Sequence, residues 1–201
     1  MKFQSLLLPV LIACAVTPAW AEGSAEAGQA KTAVCVACHG VDGNSANPEW
    51  PSLAGQSAPF IVKQLQAFKS DARQNPLMTP QAKMLSDQDI QDLAAYYSKQ
   101  ARRGGEADSS KVALGQRIYR GGDKARGVPA CLACHGPNGG GNGPAGYAAI
   151  GGQHATYLAA QLRAYKTGTR QTDPNQMMRN VASALSDEQI DAVASYVQGL
   201  R

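Results

Sequence analysis

The sequence predicts an all-α protein built from two tandem copies of one small domain, and three observations carry that prediction. The first is an internal repeat: Cys35-Val36-Ala37-Cys38-His39-Gly40 returns as Cys131-Leu132-Ala133-Cys134-His135-Gly136, and the match runs on towards the C-terminus. The second is apolar spacing at the helical period. Ile90, Leu93, Ala94 and Tyr97 run at i, i+3, i+4 and i+7, and Ile190, Val193, Ala194 and Val197 repeat that stripe. The third is the lack of any convincing alternating apolar and polar run that would read as a strand.

Taken in order, the chain opens on an export signal. Lys2 is the only charge before Glu22, the stretch Leu6 to Val16 is nearly all apolar, and Ala19-Trp20-Ala21 places small residues where a signal peptidase cuts. Residues 1–21 are therefore predicted to be a signal peptide, since a bilayer span needs about 20 apolar residues. Leu11-Ile12-Ala13-Cys14 also resembles a lipoprotein cleavage box, though its apolar core is very short. The first domain is assigned to 22–101, a linker marked by Gly104-Gly105 and several charges to 102–110, and the second domain to 111–201. Each domain is expected to start with a helix, roughly Ala25 to Val34 and Ser110 to Tyr119. A middle helix follows, carrying Ile61, Leu65 and Phe68, or Leu158, Leu162 and Tyr165. The closing helix is announced by capping boxes, Ser86 with Asp89 and Ser186 with Gln189. Gly28-Gln29 with Gly115-Gln116, and Gly55-Gln56 with Gly152-Gln153, extend the repeat, and the second copy carries an insertion around Arg120 to Gly127.

Charge excludes one class of partner. Beyond residue 21 there are 18 Lys and Arg against 15 Asp and Glu, divided 8 against 8 up to Gly104 and 10 against 7 after it. That balance argues against nucleic acid and allows weak electrostatic docking to another protein.

The cysteines carry the chemistry. Setting aside Cys14, the four that remain form two Cys-x-x-Cys pairs, each followed at once by histidine. Two disulfides would use the same four residues, but a fixed histidine in the next position points to c-type haem attachment. Thiols three apart share one face of a helical turn and can bond to two vinyl groups of one haem. The next residue then comes round beneath the ring to bind iron. Cys35 and Cys38 are thus expected to tether one haem c with His39 as iron ligand, and Cys131 and Cys134 a second with His135. Zinc would find each motif one ligand short of a structural site, and a thioredoxin-like dithiol wants a βαβ context that the sequence does not show.

The repeat also sorts the methionines. Met78 lies seven residues before Leu85, and Met178 seven before Leu185, whereas Met84 faces Ala184 and Met177 faces Leu77. Met78 and Met178 are the expected sixth ligands, with Met177 the rival in the second half. A thioether opposite an imidazole raises the potential. It also fills the last position on iron, which favours outer-sphere electron transfer over an enzyme's chemistry at the metal.

Around these residues, the loops Gly40 to Gly55 and Gly136 to Gly152 are rich in Gly and Pro, which lets backbone approach a flat ring closely. Pro48, Pro51 and Pro144 are candidates to stiffen the wall or to set a carbonyl against the histidine Nδ1. Trp50 and Tyr147 occupy matching positions and are expected at the haem edge. His154 reads as a hydrogen-bonding residue at a helix start, Arg102-Arg103 as a solvated linker end, and Arg170 or Lys166 as a partner for a propionate.

Each half resembles a class I cytochrome c, and the whole of 22–201 resembles the dihaem cytochrome c4 family. The match is carried by Gly28-Gln29-Ala30-Lys31, Ala54-Gly55-Gln56, Met78-Thr79, Leu85-Ser86-Asp87, Gly152-Gln153-His154-Ala155-Thr156-Tyr157 and Tyr196-Val197-Gln198-Gly199-Leu200. The resemblance implies a periplasmic protein, often membrane-associated, that passes electrons to a terminal cytochrome c oxidase. It also implies a pseudo-twofold pair of domains, with the haems near their interface and transfer between them through facing propionates. The donor expected is a quinol-oxidising complex or a dehydrogenase. Two rival readings are a dihaem peroxidase and a fixed electron-transfer subunit of a dehydrogenase or reductase.

Overall fold

A computed structural model describes residues 22–200; the expected signal peptide with Cys14, and Arg201, lie outside the described residues. Ten α-helices appear among the described residues, five to each half. The first half holds α1 (Ala25–Ala30), α2 (Val36–His39), α3 (Ala58–Lys69), α4 (Met78–Lys83) and α5 (Asp87–Ser98). The second holds α6 (Ser109–Gly121), α7 (Leu132–His135), α8 (Ala155–Lys166), α9 (Met177–Ala184) and α10 (Asp187–Gln198). Between them, 101–108 carries no helix. The only β-pairing among the described residues is two isolated bridges, Asp123 with Val128 and Asn142 with Tyr147, so the chain is all-α.

One expected helix is broken. The run from Ala25 to Val34 stops at Lys31, whose N–H turns back to the carbonyls of Gly28 and Gln29, and a 3-10 turn takes over at Thr32–Val34. Thr32 helps end the helix, because its hydroxyl donates to Gln29 O at 2.8 Å and competes with the helical pattern. The closing helices start where the sequence places them. In both, the N-cap serine accepts from the backbone N–H three residues on, and the Asp89 or Gln189 side chain reaches back to the cap N–H; a serine cap of this kind contributes about 1 kcal/mol.

In each half the first helix crosses the closing helix, α1 on α5 and α6 on α10, and glycine makes the crossing possible. A Cβ on Gly28 would collide with the Asp92 carbonyl, and one on Gly115 with the Ala192 carbonyl. That is why this glycine recurs in both copies. The middle helices pack on the closing ones, α3 on α5 and α8 on α10, and carry α4 and α9 with them. The first core gathers Ile61, Leu93, Ala94, Tyr96 and Tyr97. The second is larger, with Ile118, Tyr119, Val128, Leu185, Ile190, Val193 and Val197 among its members.

The halves are joined by polar groups. Gln56 Nε2 donates to Ala149 O at 2.8 Å while Gln56 Oε1 accepts from Ala149 N at 2.9 Å. Gln153 does the same to Ser52, at 2.8 and 2.9 Å. The structure corrects one expectation here. Arg102 is no solvated linker end: it is half-buried and donates to the carbonyls of Ala54, Gly55 and Gly151, stapling both halves; Arg103 alone is exposed, beside Asp42 at 2.7 Å. His154 stands at the start of α8 as expected, and its hydrogen bond crosses the joint, Nε2 meeting Ser45 O at 2.8 Å.

Candidate metal and cofactor centres

Each Cys-x-x-Cys-His lies on a single helical turn. Cys35 caps α2 and Cys131 caps α7, and their carbonyls accept from His39 N and His135 N, both at 2.9 Å. Gly40, at φ 80°, and Gly136, at φ 76°, end these turns in the left-handed region that favours glycine. All four cysteines are free thiols, which removes the two-disulfide alternative. Burial pushes the Cys35 thiol up and the Cys131 thiol to about 11, the reverse of the thiolates that bind zinc. Among the described residues, no three His, Cys, Asp or Glu side chains gather as a metal-binding group.

The histidines are oriented for a metal. His39 Nδ1 lies 2.8 Å from Pro51 O, and His135 Nδ1 lies 2.8 Å from Ala148 O. A carbonyl can only accept, so Nδ1 carries the proton and the Nε2 lone pair is left to a ligand-binding role. Burial lowers both imidazole pKa values, outweighing the carbonyls that raise them. Both rings are therefore held neutral, as coordination requires. Of the three prolines considered, Pro51 supplies such a carbonyl. In the second half the role falls to Ala148 rather than Pro144, because a carbonyl is common to every residue and only the loop path selects it. That path is pinned alike in both copies: Gly43 O accepts from Leu53 N and Ala54 N, and Gly139 O from Ile150 N and Gly151 N. Gly55 N and Gly152 N then tie the loops to Tyr97 O and Val197 O, at 3.0 and 2.9 Å.

The methionines sit on two short helices that the sequence reading did not anticipate. Met78 opens α4 and Met178 lies in the first turn of α9. Each precedes by four residues an alanine with no exposed surface, Ala82 or Ala182, so each shares the inward face of its helix. Met84, by contrast, is 70% exposed, whereas Met177 is half-buried, as Met78 and Met178 are. Trp50 and Tyr147 are both half-buried.

A second polar group, missed by the sequence reading except for Arg170, lies where α3 and α8 meet. Arg73 donates to Gln64 Oε1 at 2.7 Å and to Gln161 Oε1 at 2.8 Å; Arg170 donates to the same two oxygens at 2.8 and 2.9 Å. The signal was present, since all four residues recur 97 positions apart. Lys166, the other residue considered for a propionate, is engaged elsewhere, with Leu185 O and Asp187 Oδ1, both at 3.0 Å.

Comparison with known proteins agrees with this geometry. The family model for cytochrome c matches residues 25–100 and again 112–201. Cytochrome c4 of Pseudomonas aeruginosa is 47% identical over 199 residues, covering 98% of this chain and 99% of that protein. A thiosulfate dehydrogenase electron acceptor of Stutzerimonas stutzeri is 42% identical over 166 residues, covering 81% and 76%. The crystal structure of reduced recombinant cytochrome c4 from Pseudomonas stutzeri superposes with a TM-score of 0.87 at 47% identity, over 89% of this chain and all of that one. Two such domains mean two covalent haem c groups with iron, and free thiols, a neutral imidazole and a half-buried methionine in each half fit that group. The chain belongs to the cytochrome c family, as one of its dihaem c4 members, which are electron-transfer proteins.

Proposed function

We propose that this protein takes single electrons from a quinol-oxidising complex or a dehydrogenase in the periplasm and passes them to a terminal cytochrome c oxidase, as a carrier and not as an enzyme. The observation that carries this reading is the twofold recurrence of one arrangement. A histidine whose Nδ1 is fixed by a carbonyl stands with a methionine placed one turn before a fully buried alanine. When bound, each haem iron supplies a one-electron couple. Cys35 with Cys38, and Cys131 with Cys134, would hold the two groups, His39 and His135 would ligate one side, and Met78 and Met178 the other. The carbonyls of Pro51 and Ala148 keep each imidazole from rotating. The domains are assigned to 22–101 and 111–201, following a signal peptide cleaved after Ala21.

An optical titration of Met78→Ala and Met178→Ala tests the assignment. Each variant should lose one share of the weak thioether-to-iron band at the red end of the spectrum, while both retain two haems per chain. Retention of the full band in Met178→Ala with loss in Met177→Ala would move the second ligand to Met177. Rapid binding of carbon monoxide at both irons of the unaltered protein, or turnover of hydrogen peroxide, would favour the peroxidase reading.

A second reading has its own support in the 42% identity to a thiosulfate dehydrogenase electron acceptor. A dehydrogenase would then be the donor, and this chain either a free acceptor or its bound subunit. Co-purification with a dehydrogenase in constant ratio through gel filtration would establish the bound form.

A further inference from the structure

The two connections that lead into the methionine helices differ. Met78 is the fifth residue after Arg73, but Met178 is the eighth after Arg170, so the second connection is longer by three residues. In the first, Asn75 sets the entry to α4. Its Oδ1 accepts from Leu77 N and Met78 N, both at 2.9 Å, and its own N–H and carbonyl meet Thr79 Oγ1 at 3.1 Å and Thr79 N at 3.0 Å. In the second, α9 begins without a side-chain cap, directly after two consecutive non-glycine residues in the left-handed region, Asn175 at φ 52° and Gln176 at φ 59°.

A Cβ crowds the following carbonyl in that region. Asparagine is tolerated there better than most residues; glutamine is not. Such a conformation persists only where its surroundings over-determine it, and this one is clamped. On one side the Arg170 N–H donates to Ala164 O at 3.0 Å. On the other, the buried Asp173 accepts from Arg179 N at 3.0 Å and Arg179 Nε at 2.8 Å, reaching past the kink into α9. Between them Thr172 Oγ1 is buried with no partner, a second departure from a relaxed loop.

The strain falls where two sulfurs compete. The first half has Leu77 beside its methionine, whereas the second has Met177 beside Met178, both half-buried. Met177 stands four residues before Val181, which packs against the second core, just as Met178 stands four before the buried Ala182. Adjacent residues of an α-helix project about 100° apart, so only one of the two thioethers can face a given ring. A slip of one residue at the start of α9 would exchange them.

We propose that Asn175 and Gln176 are positioning residues for the second iron: their left-handed kink fixes the register of α9 so that Met178, and not Met177, is its ligand. The proposal rests on the reading that Met78 and Met178 are the thioether ligands. The first half needs no such device, because Leu77 has no donor atom and a slip there offers no second sulfur. A single ligation state keeps the second couple at a single potential.

The experiment is NMR of the reduced, haem-loaded protein with isotope-labelled methionine methyl groups, in which an iron-bound thioether methyl is displaced far upfield by the ring current of the haem. The unaltered protein should show one displaced signal per iron. Met78→Leu should remove one, Met178→Leu the other, and Met177→Leu neither. Loss of the second signal in Met177→Leu instead would fail the ligand reading itself, before any change at the kink. Gln176→Val, whose branched side chain is poorly tolerated in the left-handed region, should lower the Met178 signal by about fivefold or more against that of Met78. A new displaced signal should appear with it and vanish when Met177→Leu is added. Gln176→Asn, which keeps the left-handed conformation accessible, should leave the Met178 signal unchanged. A full Met178 signal in Gln176→Val, or equal losses in Gln176→Val and Gln176→Asn, would overturn the proposal. Should Gln176→Val not accumulate, Met178→Leu alone decides. A Met177 signal at the second iron of that variant, with the kink intact, would overturn the proposal, and its absence is what a fixed register requires.

Discussion

The two halves follow one plan but secure its central helix crossing by opposite means. In the first, Lys31, just past the end of α1, faces Asp89 and Asp92 on α5, each at 2.6 Å. Asp92, only 3% exposed, also accepts from Ser24 N at 2.8 Å and Gln88 Nε2 at 3.0 Å. In the second half the matching residues are Ile118, Gln189 and Ala192. Ile118 and Ala192 are 1% and 2% exposed, and Gln189 turns to Asp123 of the inserted segment at 2.7 Å. The same glycine-mediated approach is thus held by charge in one copy and by packing in the other. Duplication preserved the backbone geometry, because Gly28 and Gly115 admit nothing larger, and left the interactions across it free to diverge.

The comparison can be broken most forcefully by moving the charge. Ile118→Lys places an ammonium in the second crossing with no acid to meet it, and is expected to destabilise that domain by ~4 kcal/mol or more; adding Ala192→Asp should recover part of the loss. Amide exchange of α10 against α5 reads which domain is affected. Asp92→Ala is the converse in the first half, removing three hydrogen bonds to a buried carboxylate, with an expected cost of ~2 kcal/mol that leaves α10 protection unchanged. Acid should separate the halves in a milder way. Lys31, followed by Ser86, holds Asp89 at about 2, and Lys31 with the Ser24 N–H holds Asp92 below its ordinary value. Their contribution is present above the usual carboxylate pKa of 3.8 and is lost as pH falls towards 2. Between those limits, α1 and α5 should lose exchange protection before α6 and α10. The smallest effects should be shared. Ser86→Ala and Ser186→Ala are each expected to cost about 1 kcal/mol by thermal unfolding, and a large difference between them would show that the copies are less alike than their capping boxes.

Much of this was legible in the sequence because the repeat supplies its own control. Ser86 and Ser186, the two closing stripes and the two Cys-x-x-Cys-His turns are local patterns, and each was seen twice. The carbonyl that meets His135 was not legible, since Ala148 carries no side-chain signal and is selected by a loop closed through Gly139. Helices α4 and α9 were hidden by shortness and, in α4, by Pro80, which looks like a breaker but is tolerated in a first turn. Arg102 read as a solvated linker residue from its neighbours Arg103 and Gly104. Only the folded joint reveals that three carbonyls with no other donor surround its guanidinium.

The paired exchange made by Gln56 and Gln153 has a consequence for how such a molecule arises. Each half offers one amide and receives the other upon a backbone residue at the matching position, Ala149 or Ser52. This is the self-complementary pattern of an isologous dimer, in which one surface is its own mate. A solitary ancestral unit would already have possessed both key and keyhole. Fusing two copies through a short tether then required no new contact surface, only a rise in local concentration that made a passing encounter permanent.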